Sequence, residues 1–161
     1  MSMKTKILLV DDDPMALSFL EFKLRSGLPA FDCETRTEPN IDGAFDIYFI
    51  DNDFQGRRVA AELASRIRRE RPDALIIAFS GTLDSQTLKN LINAGCSGAC
   101  DKSQPGDLDE ALQVARKYID TLNQQRASQR PQRGGLVDAV RSIRGLLDSW
   151  NTRLDQQHRQ P

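Results

Sequence analysis

The stretch Ile47-Tyr48-Phe49-Ile50-Asp51 decides the fold, because a run of four apolar residues ends abruptly in a carboxylate. A strand that is buried on both faces reads as such a continuous apolar run, whereas a half-buried strand alternates. In open α/β sheets, ligands bind outside the carboxyl ends of these strands. Asp51 is therefore expected at the edge of a crevice, although a carboxylate at this position can also simply cap a turn.

Outward from this stretch, strand-like and helix-like segments alternate along the chain. Four more strands are predicted over residues 6–10, 31–37, 74–79 and 96–100. Helical periodicity predicts helices over residues 14–26, 56–70, 83–94 and 107–125. Residues 38–45 are too few for a helical crossover, so a loop or a single turn is expected there. The alternation predicts a doubly wound, five-stranded parallel α/β sheet.

Polar side chains follow four of the predicted strands. Asp13 precedes Pro14 and is explained as a helix N-cap. The adjacent Asp11 and Asp12 have no such explanation, and neighbouring carboxylates usually share a cation or have a raised pKa. The full set of strand-end groups is Asp11, Asp12, Asp51, Ser80 and Lys102. Carboxylates, a hydroxyl and an ammonium at one sheet edge predict a site for Mg²⁺ and a phosphoryl group.

Composition limits the other possibilities. A chain of 161 residues favours one domain with an appendage. Its three cysteines form no CxxC pair, which suits a reducing cytoplasm and disfavours a zinc site. No apolar run approaches the roughly 20 residues of a membrane span. The first strand begins so early that no signal peptide is expected, and the predicted location is cytoplasmic.

Charge is distributed unevenly along the chain. Residues 1–125 carry 15 basic and 20 acidic side chains, whereas residues 126–161 carry seven arginines and three aspartates. A basic tail can bind nucleic acid. Here the arginines are scattered and Trp150 is the tail's single aromatic, so a solvated helix face is favoured and no nucleic-acid partner is expected.

Four motifs, in their order and spacing, resemble those of the receiver domains of bacterial two-component response regulators. They read Ile-Leu-Leu-Val-Asp11-Asp12-Asp13-Pro14, Asp46-Ile-Tyr-Phe-Ile-Asp51, Ile76-Ile-Ala-Phe-Ser80-Gly81 and Gly95-Cys-Ser-Gly98-Ala-Cys-Asp-Lys102. The resemblance covers about residues 4–125. It implies a receiver domain over residues 1–126, with a flavodoxin-like strand order of 2-1-3-4-5 and an abbreviated second helix.

The resemblance implies how the acidic residues would act. Asp51 would be the phosphoacceptor, attacking the phosphohistidine of a histidine kinase or phosphotransfer protein. Asp12 would ligate Mg²⁺ directly and Asp11 largely through water. Asp51 and the backbone carbonyl of Asp53 would complete the protein ligands.

On the phosphoryl side, the resemblance implies that Lys102 pairs with one oxygen and that Ser80 donates its hydroxyl. The backbone of Asn52 and Gly81 would bind the remaining oxygens. Movement of Ser80 would then bias a two-state face read by a downstream protein. The chain would thus be a signalling protein and not an enzyme, apart from its own phosphotransfer and dephosphorylation.

Three departures from the family pattern stand out. Ala99 takes the place of the usual aromatic residue three positions before the lysine. Ser103 replaces the usual proline, so a trans bond is expected after Lys102, because a cis bond there would cost about 3–4 kcal/mol. The loop after Asp51 is shorter and lacks the family's proline.

The tail is predicted to be separate from the receiver. Residues 127–135 contain Pro131, Gly134 and Gly135 and are predicted to be a linker. Residues 136–161 are predicted to hold an amphipathic helix whose apolar seam is Leu136, Val140, Ile143, Leu147, Trp150 and Leu154. Because three heptads are marginal alone, the seam is expected to form a homodimer, dock on the receiver or bind a partner.

Two other functions stay open. The first is a receiver fold kept as a scaffold or dimerisation module without phosphorylation, which Ala99 and the short loop allow. The second is a phosphatase of the haloacid-dehalogenase type, because Asp51-Asn52-Asp53 is similar to its Asp-x-Asp motif. That motif normally lies on the first strand, and the intact set of strand-end groups favours the phosphoacceptor.

Overall fold

The computed structural model describes residues 3–128. Most of the predicted linker lies outside this range. So does the predicted helix over residues 136–161, with its seam of Leu136, Val140, Ile143, Leu147, Trp150 and Leu154. Within residues 3–128 the predicted α/β alternation is confirmed.

The elements follow one another as β1 (Thr5–Val10), α1 (Pro14–Gly27), β2 (Phe31–Arg36), β3 (Ile47–Asp51), β4 (Asp53–Phe54), β5 (Arg57–Arg58), α2 (Ala60–Glu70), β6 (Leu75–Ser80), α3 (Ser85–Asn93), β7 (Gly98–Asp101) and α4 (Pro105–Ala127). The strand predicted from the apolar run, β3, has the expected bounds, and all of its residues are buried. The N-cap expected at Asp13 is present, where the carboxylate accepts a hydrogen bond from the Met15 N–H at 2.9 Å.

The five long strands form one parallel sheet in the order β2-β1-β3-β6-β7. The short strands β4 and β5 form a separate two-stranded sheet. When only the five long strands are numbered, their order is the predicted 2-1-3-4-5. α1 and α4 cover one face of the sheet, while α2 and α3 cover the other. β3 therefore lies at the centre of the molecule, with a helical layer on either side.

The segment between β2 and β3 forms no helix, which confirms the loop expected at residues 38–45. Ile41 and Phe45 fold inward, and the Phe45 ring meets the Tyr48 ring edge-on with centroids 5.7 Å apart. This loop places two apolar side chains over the sheet where a crossover helix would otherwise lie.

The second predicted helix begins later than expected. It was predicted from residue 56, but α2 starts at Ala60 because residues 53–58 form the β4–β5 hairpin. Gln55 and Gly56 both have positive φ, 50° and 80°, which is the backbone twist that a two-residue hairpin turn requires. The hairpin lies directly after Asp51 and so borders the predicted site.

One side chain of α2 reaches the neighbouring loops. The Arg68 guanidinium donates to the carbonyls of Gly95, Pro72 and Ala74 at 2.7–3.1 Å. The predicted trans bond after Lys102 is confirmed, since the described residues contain no cis peptide.

Candidate functional site

Three carboxylates converge at the carboxyl edge of the sheet. Asp11 and Asp12 follow β1, Asp51 ends β3, and these two strands are neighbours paired at Val10 and Ile50. Each of the three carboxylates offers an oxygen, and these oxygens lie within 4.8 Å of one another. The sequence prediction that these groups share one edge is therefore matched by their positions.

Lys102 reaches this cluster from β7, on the far side of β6. Its Nζ lies 2.8 Å from Asp51 Oδ1, as an ion pair, and donates to Asp11 Oδ2 at 3.0 Å. Its backbone N–H donates to the Ser80 carbonyl at 2.8 Å, which continues the pairing of β6 with β7. The sheet thus fixes the lysine backbone, and the side chain bridges two carboxylates.

Burial shifts the pKa values of Asp51 and Lys102 in opposite directions. Burial raises the pKa of Asp51 to about 6, and the attraction of Lys102 only partly offsets this. Burial also lowers the pKa of Lys102, but the hydrogen bonds and charges of Asp51 and Asp11 outweigh it, so that the lysine pKa is raised overall. At neutral pH the site therefore holds a charged lysine and a carboxylate that ionises less readily than usual.

The acidic cluster fits a hard divalent cation. All of its donor atoms are carboxylate oxygens, the ligands that Mg²⁺ prefers. Asp11 Oδ1 accepts from the Asp13 N–H at 2.9 Å, and Asp12 Oδ2 accepts from the Gln55 N–H at 3.1 Å. These hydrogen bonds hold both carboxylates in place, so Asp11, Asp12 and Asp51 would hold the ion. The role predicted for the Asp53 carbonyl stays a prediction.

Ser80 lies at the end of β6 and is almost fully buried. Its hydroxyl donates to the Thr82 carbonyl at 2.9 Å and also lies 3.4 Å from Asp53 Oδ2. The same carboxylate oxygen accepts from the Gly81 N–H at 3.4 Å. Of the two donors predicted to bind a phosphoryl group, the Gly81 N–H is thus directed at the Asp53 carboxylate, while the Ser80 hydroxyl lies beside it and donates to the Thr82 carbonyl.

This contact of Asp53 was missed by the sequence reasoning, which considered the residue as a carbonyl ligand of Mg²⁺ and as part of an Asp-x-Asp motif. The spacing offered a signal, because side chains two residues apart on a strand point to the same face. Asp53 follows Asp51 at that spacing, so its carboxylate was a candidate for the same edge.

Asn52 is buried, and its backbone is held at both ends. Its N–H donates to the Phe79 carbonyl at 2.7 Å, while its carbonyl accepts from Val59 at 3.0 Å. Its side-chain oxygen accepts from the Ala60 N–H at 3.3 Å and so stabilises the start of α2. The predicted phosphoryl contact of the Asn52 backbone would require the bond to Phe79 to break, and it stays a prediction.

Comparisons with known proteins agree with this geometry at the level of fold. No protein-family model matches the chain, and no curated protein matches its sequence. Among solved structures, the BeF3-activated receiver domain of DrrB is 21% identical, with a TM-score of 0.63 over 73% of this chain and 99% of that one. A CheY-like receiver domain protein from Methanospirillum hungatei is 18% identical, with a TM-score of 0.63 over 80% and 100%.

A third similar structure is a putative pilus assembly protein from Burkholderia thailandensis, 24% identical, with a TM-score of 0.57 over 70% of this chain and 98% of that one. At these identities the likeness shows the fold alone. That fold is the one of response regulator receiver domains. No helix within residues 3–128 is long and apolar enough to cross a membrane.

Proposed function

We propose that this protein is a phosphoacceptor receiver of a two-component phosphorelay, in which Asp51 takes a phosphoryl group with the help of Mg²⁺. The donor would be a histidine kinase or a phosphotransfer protein, and the output would pass to a downstream protein by direct contact. The free thiols of Cys33, Cys96 and Cys100 agree with a cytoplasmic location.

One observation carries the proposal. The Asp51 carboxylate, on the central strand, is held 2.8 Å from Lys102 Nζ and within 4.8 Å of the two aspartates that follow β1. A nucleophile, a cation for the phosphoryl oxygens and a hard-metal site are thus gathered by three separate strands. Such positioning and charge stabilisation account for most of the catalysis in phosphoryl transfer.

The chemistry follows from the nucleophile. An oxygen of Asp51 attacks the phosphorus atom and forms a new O–P bond. The P–N bond of the phosphohistidine breaks, and its electron pair returns to the imidazole nitrogen. Lys102 stays beside the acceptor and binds a phosphoryl oxygen. The Gly81 N–H, once it leaves Asp53, and the Ser80 hydroxyl, once it leaves the Thr82 carbonyl, would donate to other phosphoryl oxygens. Bound Mg²⁺ would neutralise charge on the transferring oxygens.

The test is intact-protein mass spectrometry after incubation with acetyl phosphate and Mg²⁺. The full chain should gain the mass of one phosphoryl group, and Asp51→Asn should gain none. Asp13→Asn is the matched control, because it neutralises a carboxylate at the same edge while keeping an N-cap oxygen; it should be phosphorylated like the unaltered protein.

Two results would contradict the proposal. An adduct on Asp51→Asn would place the acceptor elsewhere, and no adduct on the unaltered protein with Mg²⁺ bound would favour the scaffold. Steady release of phosphate from p-nitrophenyl phosphate would instead favour a general phosphatase, since a receiver is modified once and does not turn over such esters.

A further inference from the structure

The outward face of α1 is apolar, which is unusual for a helix at the surface. Met15, Phe19 and Phe22 have exposed fractions of 80%, 56% and 67%. The opposite face of the helix is buried through Leu17 and Leu24. A surface helix normally has one apolar face, which packs on the core. α1 has a second apolar face, and the sheet does not cover it.

The polar groups near this face are already engaged. The Ser18 and Ser26 hydroxyls donate to the helix's own carbonyls, at 3.0 and 2.9 Å. Arg25 pairs with Glu21 at 2.6 Å on one flank of the face. The Lys23 ammonium lies 5.7 Å from the centre of the Phe19 ring. The face therefore offers ring and methyl surface beside one lysine.

This face is the main apolar feature of the described surface. Within residues 3–128, the large exposed apolar side chains are the three on α1 and Met3. Single exposed apolar residues are ordinary, but several on one face mark an interaction surface.

The chain leaves the described structure close to this helix. α1 and α4 are neighbours on one face of the sheet and share one apolar core. At the end of α4, Arg126 donates to the Met3 carbonyl at 3.0 Å and to Asp46 at 2.9 Å, next to the starts of β1 and β3. α1 also ends at this edge, because β2 starts immediately after it and pairs with the start of β1.

We propose that the C-terminal segment, residues 136–156, docks as a helix on the outward face of α1 of the same molecule. It would cover Met15, Phe19 and Phe22 with its own apolar seam. The docked helix would run antiparallel to α1, since the chain arrives at the end of α1 where that helix stops.

Spacing and reach both support this occupant. The seam residues of the segment, from Leu136 to Leu154, step by four, three, four, three and four. Met15, Phe19 and Phe22 step by four and three, which is the same period, so the two faces can interlock at these positions. Residues 129–135 can span at most about 25 Å, whereas neighbouring helix axes lie about 8–10 Å apart.

Trp150 provides the test, because it is the chain's single tryptophan and belongs to the seam. In the full chain it should be shielded from acrylamide, with blue-shifted emission, at all protein concentrations. Phe19→Ser together with Phe22→Ser should shift the emission to the red and raise the quenching constant several-fold. Lys89→Ser, at an exposed position of α3, is the matched control and should leave both unchanged.

A double-mutant cycle adds a reciprocal readout. Leu147→Asp should expose Trp150 as strongly as the α1 pair does, and the combined variant should expose it no further, because both changes break the same contact. Melting temperatures of the α1 variants should show that the receiver domain is still folded, since Phe19 and Phe22 lie outside the core. A change in Trp150 emission can then be assigned to loss of docking.

Three outcomes would overturn the proposal. The first is a tryptophan that is already exposed in the unaltered monomer. The second is quenching that the α1 variants leave unchanged. The third is sedimentation showing a dimer whose formation shields Trp150, which would make a second copy the occupant.

Discussion

At the scale of single residues, the acceptor carboxylate is held in a place that opposes its own ionisation. Asp51 is 3% exposed, and burial raises its pKa to about 6 from an ordinary value of 3.8. Between these two values the folded protein binds a proton that the unfolded chain has released, so stability falls as the pH rises through this window. Above about pH 6 the folded protein carries the full cost of a buried charge.

The first prediction is that Asp51→Asn stabilises the metal-free protein at pH 7. Asparagine cannot ionise, so the gain in unfolding free energy should be about 1–3 kcal/mol at pH 7 and should disappear near pH 4. Urea unfolding in EDTA at the two pH values measures it. A gain of equal size at both values would indicate better packing instead of relief of buried charge.

Asp46→Asn is the contrasting control for this experiment. Asp46 is also buried, but its Oδ1 lies 2.9 Å from Arg126 and 3.6 Å from Arg71. Neutralising it leaves both guanidinium groups without this partner, so the variant should lose stability at pH 7. Asp51 also has a cationic partner, but Lys102 keeps Asp11 when Asp51 is neutralised. Opposite signs for the two variants would show that the charges left behind, and not burial alone, decide each effect.

The second prediction concerns Asp53, whose carboxylate engages the Ser80 hydroxyl and the Gly81 N–H. A phosphoryl group on Asp51 would compete with it for both donors. Asp53→Ala should therefore speed phosphorylation by acetyl phosphate about threefold to tenfold, because the Gly81 N–H no longer has to leave a carboxylate and a negative charge no longer opposes the incoming phosphoryl group. The rate of adduct formation by mass spectrometry measures it.

Asp53→Asn separates the two causes in this prediction. It keeps an acceptor oxygen and removes the negative charge, so a rate equal to that of the alanine variant would assign the effect to charge repulsion. Slower phosphorylation of Asp53→Ala would refute the competition and give the carboxylate a supporting role.

At the scale of elements, one polar side chain fastens the end of α2 in addition to the apolar face that packs on the sheet. Arg68 donates to the carbonyls of Pro72, Ala74 and Gly95. It also donates to Ser97 Oγ at 3.2 Å. The three carbonyls lie in the segments before β6 and before β7, so the arginine joins the end of α2 to two loops.

The third prediction is that Arg68→Met destabilises the protein by about 2–3 kcal/mol, because several carbonyls lose a charged donor. Arg69→Met changes its exposed neighbour and should stay within about 0.5 kcal/mol of the unaltered protein. Urea unfolding measures the change in unfolding free energy of both variants, and the slope of that free energy against urea concentration should stay unchanged. Equal losses for the two variants would contradict the structural role of Arg68.

The elements differ in how far local sequence determines them. β3 was predicted with its bounds because a strand buried on both faces needs a continuous apolar run, and this run ends abruptly at the Asp51 carboxylate. The β4–β5 hairpin was not predicted, because its strands have two residues each and show no periodicity. The contacts of Arg68 were not predicted for a related reason, since helical spacing says which face a residue occupies but not that a neighbouring loop exposes carbonyls to it.

At the scale of the whole molecule, the candidate site exists only when the sheet is assembled. The carboxylates come from β1 and β3, and Lys102 comes from the far end of β7, 51 residues after Asp51. The strand-end pattern predicted which residues meet, because parallel strands share one carboxyl edge. It could not predict that Lys102 bridges two carboxylates or that Asp53 engages Ser80, since both depend on distances set by packing and by the hairpin turn.

The fourth prediction follows from this assembly. Because the unfolded chain cannot bring the three carboxylates together, Mg²⁺ should bind the native protein alone and stabilise it. At a concentration 100 times the dissociation constant the gain is about 2.7 kcal/mol, which for a chain of this size raises the melting temperature by about 5–11 °C. Thermal unfolding over a Mg²⁺ titration measures it, with NaCl at matched ionic strength as the reference.

Asp12→Asn decides whether this stabilisation comes from the proposed site. The variant keeps an oxygen for the Gln55 N–H and so preserves the loop, but it removes one of the three charges that would hold the ion. Its melting temperature should respond to Mg²⁺ no more than to NaCl. An undiminished Mg²⁺ response would place the ion elsewhere on the molecule and leave Asp11 and Asp51 with Lys102 as their cation.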